Sequence, residues 1–317
     1  MMVASTDADQ LIEKAGFAST SIEQLAANVM WAEALRRAKT AIAPLCVRGD
    51  GIPIYWVHSV TGQGSDPIAL AKLLGPDQPF FSIRAPSAKR IESFATSIED
   101  MAGYYAEQII RFQPRGPLIV GGWSAGVVVA LELAQQLEGL GRDVRHLIAV
   151  DFVPNNSGIR INRIKLFTTK VIYWLRKEGA TRASYRQLGT RTWRKIVDTI
   201  NASIGSGHPM DDLVSSRRYS PVESAFVKRL HDEVDRYKPR AYGGSVLFYP
   251  AVEEDGRKAA SNRNLDAKNM IRAWQAIAAD LTISKINGDH GSLLKGTSVP
   301  DLAERLQSDL RRFDGAA

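Results

Sequence analysis

Cysteine is almost absent from this 317-residue chain. Cys46 is the only one, so no internal disulfide framework can exist and a small cross-linked secreted fold is excluded. One thiol fits a reducing compartment, and the expected location is cytoplasmic. The first residues, Met1 to Asp9, are acidic and lack the basic and apolar parts of a signal peptide. Long apolar runs are also lacking. The one stretch of membrane-like length, Pro117 to Ala134, carries Glu132 and three glycines. It reads as a buried strand followed by a helix, so no transmembrane segment is expected. Internal repeats and low-complexity tracts are missing too. Histidine is scarce, with five in the chain, which makes an elimination among them practicable.

What is present is an ordinary globular composition, 44% hydrophobic and 24% charged, long enough to bury a large core. Net charge is +7, and its source is local. Arg160 to Ile200 holds 11 Lys or Arg against 2 acids, which leaves the rest of the chain slightly acidic. Such a segment is either a solvated helix face or a docking surface for an acidic partner or a phosphate group. Within it Arg163, Lys170 and Lys177 recur every seven residues and so share one helix face. Ile164, Phe167, Val171 and Leu175 form the adjoining apolar face.

Residues 1–45 read as a helical N-terminal extension, with Thr20-Ser21-Ile22-Glu23 at capping-box spacing. From residue 46 to 317 strand and helix signals alternate. Pro53–Val57, Phe80–Ile83, Pro117–Gly121, His146–Asp151, Ser245–Tyr249 and Leu281–Ile286 are expected strands. Ile68–Leu74, Ser93–Phe112, the stretch from Val127 to about Leu140, Leu265–Ala279 and Val299–Leu310 are expected helices. Alternation of this kind predicts a mostly parallel, doubly wound α/β sheet. It is interrupted at about 154–240 by a helical insertion without a clear strand.

The densest signal is Gly122-Trp123-Ser124-Ala125-Gly126, a G-x-S-x-G between an apolar strand and an amphipathic helix. Flanking glycines allow a sharp strand-to-helix turn that presents a serine hydroxyl, the nucleophile elbow. A serine needs a base and a carboxylate to orient that base. Among the histidines, His231 sits in a charged helix and His146 opens a strand at the wrong end. His208 lies in a Gly/Ser-rich piece of the insertion, and His58 belongs to the first loop. His290 follows the last strand, where sheet hydrolases with the chain order Ser…Asp/Glu…His place the base. Asp151 closes an apolar strand directly after the elbow unit and is the expected acid. Glu253, Glu254 and Asp255, after the following strand, stay open as alternatives. The oxyanion donors are expected to be the N–H of Ala125, at the helix start, and that of Val60, in a loop that Gly62 and Gly64 let fold close.

These residues carry a resemblance. The chain from about Gly51 to Leu310 resembles the thioesterase domains of nonribosomal peptide and polyketide synthases, which have the α/β-hydrolase fold. The likeness rests on Val120-Gly121-Gly122-Trp123-Ser124-Ala125-Gly126, Leu147-Ile148-Ala149-Val150-Asp151, Tyr237-Lys238-Pro239-Arg240-Ala241-Tyr242-Gly243-Gly244 and Gly288-Asp289-His290. The first loop departs from it, reading His58-Ser59-Val60-Thr61-Gly62 where His-Pro-x-Gly-Gly is more usual, and Val127 stands where glycine is frequent. The resemblance implies a serine thioesterase with Ser124 as nucleophile, His290 as base and Asp151 as acid, and it keeps Asp255 and Glu254 in play for the acid. It also implies a lid at 154–240. Acyl, peptidyl or polyketide chains would arrive on the phosphopantetheine of a carrier protein or synthase module, docked on the basic lid. They would leave by hydrolysis or cyclisation. No resident cofactor or metal and no nucleic-acid partner is expected. An acyltransferase or a general carboxylester hydrolase with the same triad are the alternatives. A non-catalytic binding module using the basic lid is the alternative of another class; Tyr173, Trp174, Tyr185 and Trp193 in that segment also fit a lid lining.

Overall fold

In the computed structural model, which describes residues 41–86, 97–154, 221–252 and 267–314, the alternation resolves into one seven-stranded sheet with helices on both faces. The elements in chain order are β1 (Ile42–Cys46), β2 (Ile54–Val57), α1 (Ile68–Leu74), β3 (Phe80–Ile83), α2 (Ile98–Phe112), β4 (Leu118–Trp123), α3 (Ala125–Gly139) and β5 (Val144–Val150). They continue with α4 (Pro221–Arg236), β6 (Tyr242–Tyr249), β7 (Ala251–Val252), α5 (Ala267–Ile277), β8 (Ala278–Ile283), β9 (Ile286–Asn287), α6 (Ser292–Lys295) and α7 (Val299–Asp314). The strand order is β1-β3-β2-β4-β5-β6-β8, and all neighbours are parallel except β1 with β3.

Alternation within single strands makes the two layers. Ile54 and Trp56 of β2 face a core shared with α1, α6 and α7. Tyr55 and Val57 face the opposite core, built with α2, α3, α4 and α5. All four residues are fully buried, as a central parallel strand requires. Helix α3 lies deepest. Eleven of its fifteen residues are buried, including Glu132, so the helix expected to be amphipathic is instead buried on nearly every side. Helix α2 starts where Ser97 accepts a hydrogen bond from the Asp100 N–H at 3.0 Å, with Glu99 and Asp100 in its first turn.

The strand order positions the site. The chain moves from β2 outward to β3 and then returns to the other side of β2 as β4, and crevices at such switch points hold ligands. Register levels the strand ends: Val57 pairs with Gly122, Trp123 with Val150, and Val150 with Tyr249. The residues just past these ends, Ser124 and Asp151, therefore share one rim.

Two expectations are corrected. The boundary at 45/46 falls inside β1, whose Ile42, Ala43 and Pro44 pair antiparallel with Ile83, Ser82 and Phe81. Pro44 disguises this strand, because a proline is tolerated in a sheet only at an edge, where β1 sits. The last expected strand, Leu281–Ile286, instead runs Ala278–Ile283 and stops. Pro250 cannot donate to the ladder, so β6 breaks there and its neighbour breaks with it. The two-stranded pair β7–β9 then continues the path toward His290. The rest of the N-terminal extension, including Thr20 to Glu23, lies outside the described residues, as do 155–220 of the insertion. Its last part is helical, as expected, in α4. Among the described residues no helix is long and apolar enough to cross a membrane.

Candidate active site

Ser124 sits between β4 and α3 with φ 57° and ψ −135°, a left-handed backbone on a non-glycine residue. Such conformations cost about 1–3 kcal/mol and persist only where packing enforces them. Here the enforcement is visible. A Cβ on Gly122 would lie 2.5 Å from the Gly126 carbonyl oxygen, and one on Gly126 would lie 2.6 Å from that of His58 and 2.9 Å from that of Val57. The two glycines let strand, helix and first loop close around the serine, as the sequence pattern implies. Ala125 opens α3, so its N–H is one of the helix's free N-terminal donors at the positive end of the dipole.

Asp151 is the second non-glycine residue with positive φ, at 47°. Its carboxylate is 1% exposed and fully engaged. Oδ1 accepts the Ala251 N–H at 2.9 Å, and Oδ2 accepts from His290 Nδ1 at 2.7 Å. A carboxylate can only accept, so Nδ1 carries a proton; in the neutral ring this leaves the lone pair on Nε2, the tautomer a general base needs. The His290 loop is pinned on its far side by Asp289, whose Oδ1 takes the N–H groups of Gly291 and Ser292 at 2.8 and 2.9 Å. Asp289 is therefore spent on shaping the loop. Trp123, the residue before the serine, stacks its indole on the His290 ring with centroids 4.9 Å apart and planes 26° apart. Its Nε1–H donates to the His290 carbonyl oxygen at 3.0 Å. Serine and imidazole are thereby held at the same rim. Glu253, Glu254 and Asp255 lie outside the described residues.

Val60 is half-buried just past the end of β2, in the loop beside the elbow. That loop is tied down by His58 N–H to Ile83 O at 3.0 Å, Gly62 N–H to Ser59 O at 3.0 Å, Ala85 N–H to Gly62 O at 2.9 Å and the Ser82 hydroxyl to Gly64 O at 2.7 Å. Gly62 has φ 73°, and a Cβ there would meet the Phe226 ring of α4 at 2.8 Å. His58 itself is fully buried. Its Nδ1–H donates to the Ser59 carbonyl at 2.7 Å and its Nε2 accepts the Tyr105 hydroxyl at 2.6 Å. Burial holds its pKa down to about 4, against smaller opposing effects from that carbonyl and from Asp66. A neutral imidazole with both nitrogens occupied is loop architecture, not a base. His146 packs on Phe313, and His231 pairs with Asp235 along α4 at 3.7 Å. His208, Arg163, Lys170 and Lys177 lie outside the described residues.

The Thioesterase domain family model matches residues 52–310. The chain belongs to the thioesterase domain family. It is a hydrolase acting on thioester bonds, on a doubly wound α/β-hydrolase sheet. The thioesterase is 35% identical over 241 residues to malpibaldin synthetase of Mortierella alpina, an alignment that covers 75% of this chain and 4% of that protein. It is 35% identical over 114 residues to atromentin synthetase invA5 of Paxillus involutus, covering 36% of this chain and 12% of that one. The chain thus spans a small fraction of the curated relatives it matches. Among solved structures, the NocB thioesterase domain of the nocardicin cluster is 23% identical with a TM-score of 0.57, covering 85% of this chain and 98% of its own. The surfactin-cyclising SrfTE domain is 18% identical with a TM-score of 0.51, covering 83% and 92%.

In this thioesterase the Tyr237–Gly244 element does structural work beside the site. The Tyr237 hydroxyl donates to Glu132 Oε2 at 2.7 Å, Arg240 reaches Glu132 Oε1 at 3.3 Å, and the Tyr242 hydroxyl donates to Glu138 at 3.1 Å. The element clamps the exit of α4 and the start of β6 onto α3, the helix the serine caps. Glu132, an acid flanked by Leu131 and Leu133 in the apolar part of α3, is the feature of the sequence that could have pointed to a buried polar anchor. Trp123, Tyr105 and Phe226 were not singled out from sequence as site residues. An aromatic in the second position of the elbow was the one available hint, for Trp123.

Proposed function

We propose that the thioesterase is a serine enzyme that releases an acyl, peptidyl or polyketide chain from the phosphopantetheine arm of a carrier protein or synthase module, through an acyl-Ser124 intermediate. The observation that carries this reading is the 2.7 Å Asp151–His290 hydrogen bond, at the same sheet rim as the strained Ser124 elbow. In the first half-reaction Ser124 Oγ attacks the thioester carbonyl while His290 Nε2 takes its proton. The oxyanion is met by the N–H groups of Ala125 and Val60. The C–S bond breaks, and the thiol leaves carrying the proton from His290. In the second half-reaction water, or a nucleophile within the acyl chain itself, is deprotonated by His290 and attacks the ester. Hydrolysis or cyclisation follows, and Ser124 is regenerated. The pantetheine arm belongs to the substrate, so no resident cofactor is needed.

The synthetase names of the relatives support a carrier-bound substrate, and the basic run from Arg160 to Ile200 supports docking of an acidic carrier. The test compares release from a loaded carrier protein with release from a small pantetheine thioester. Reversing Arg163, Lys170 and Lys177 to Glu should depress carrier-dependent kcat/KM at least tenfold more than the small-substrate value. Equal losses on both substrates would remove the docking role. Retained release by Ser124→Ala would remove the serine mechanism.

A further inference from the structure

The catalytic histidine loop is held on one side by Asp151 and by its own Asp289 turn, and on the other by a residue that has no acid–base chemistry. We propose that Trp123, the residue inside the elbow, is a positioning residue for His290: it fixes the ring plane from the elbow side and stabilises the imidazolium that forms when Ser124 is deprotonated. The proposal rests on the reading of His290 as the general base.

Two contacts of different kinds converge on one residue from Trp123. The Nε1–H grips the His290 backbone at 3.0 Å, and the indole face lies against the imidazole at 4.9 Å between centroids and 26° between planes. The backbone grip sets where the loop stands. The stack leaves the ring free to slide but not to tip, while the Asp151 bond at 2.7 Å fixes rotation about the remaining axis. Three restraints, two from Trp123 at the end of β4 and one from Asp151 just past β5, determine an orientation that a single hydrogen bond would leave loose. The stack also acts on charge. An indole face carries negative potential, so it attracts a delocalised cation lying on it more than the neutral ring. The gain comes only when the imidazole is protonated, which is the state in the tetrahedral transition state. That preference raises kcat rather than binding.

Trp123 is 8% exposed and joins the core formed with Trp56, Leu70 and Leu293. A purely packing role is therefore the competing explanation. The two roles give different results with Trp123→Phe and Trp123→Leu. Phenylalanine keeps a face and loses the Nε1 donor, whereas leucine loses both. On a pantetheine thioester, measured well below the melting temperature of each variant, positioning requires kcat to fall a few-fold in Trp123→Phe. It requires a fall of about thirtyfold in Trp123→Leu, with KM within about twofold of the wild type. The far-downfield Nδ1–H proton resonance of His290 should broaden or disappear in the leucine variant and persist in the phenylalanine one.

Wild-type kcat and an intact resonance in Trp123→Leu, with only a lower melting temperature, would overturn the proposal and leave the triad standing. Undiminished turnover in both Ser124→Ala and His290→Ala would instead overturn the reading beneath it.

Discussion

Exchanging His58 for glutamine should flatten the loss of stability that this thioesterase suffers between pH 7 and pH 5. His58 is fully buried and neutral, with a native pKa held at about 4 by desolvation against an ordinary value of 6.5. Above 6.5 neither the native nor the unfolded chain binds a proton there, and the contribution is at its full value. As pH falls through the window from 6.5 to about 4, the unfolded chain takes up the proton and the native one does not, so stability drops. The loss is complete once pH has passed below the native value. From these values, linkage gives roughly 2 kcal/mol between pH 7 and pH 5, and roughly 3 kcal/mol by pH 4. Glutamine at 58 keeps a polar side chain of similar length but does not titrate. Urea unfolding of both proteins, followed by tryptophan fluorescence at several pH values, isolates the effect, because the other titrating groups are common to both and cancel. Wild type should lose about 2 kcal/mol more than the variant over that range. Parallel curves would show that the imidazole protonates freely in the native state and would refute the buried, neutral assignment.

Three further outcomes follow from the same contacts. Gly126→Ala pushes a methyl carbon against the His58 and Val57 carbonyl oxygens, so kcat should fall at least tenfold, whereas Gly139→Ala, with nothing within 4 Å, should be silent or raise stability by about 0.5–1 kcal/mol; thioesterase assays beside thermal melts distinguish the two. Tyr237→Phe strips a donor from the buried Glu132 carboxylate and should cost about 1–3 kcal/mol in urea unfolding with kcat little changed. Phe226→Ala empties the contact between α4 and the first loop, which should speed amide exchange across residues 58–64 and lower kcat; unaltered exchange there would contradict a brace between α4 and the loop.

What is legible of the candidate site in the sequence is local. The elbow is announced by five consecutive residues whose glycines have a single steric purpose, and Asp151 by an acid closing an apolar strand. His290 emerged from elimination because only five histidines compete. What stayed hidden depends on chain segments meeting. His58 finds Tyr105 at a separation of 47 residues, Glu132 finds Tyr237 at 105, and Trp123 finds His290 at 167. No periodicity encodes such encounters. Two boundaries failed for a simpler reason. Pro44 is accommodated in β1 because that strand lies at an edge, whereas Pro250 ends β6 in the sheet interior, and which strand is at an edge is a property of the finished sheet.

The central claim is that Ser124 becomes acylated. Incubating the protein with a panel of pantetheine thioesters, quenching in acid and weighing the intact chain tests it directly. The triad predicts a mass gain equal to the acyl group, which maps to Ser124 and is absent in Ser124→Ala. Thioester turnover without any adduct in the wild type, and undiminished in Ser124→Ala, would contradict it.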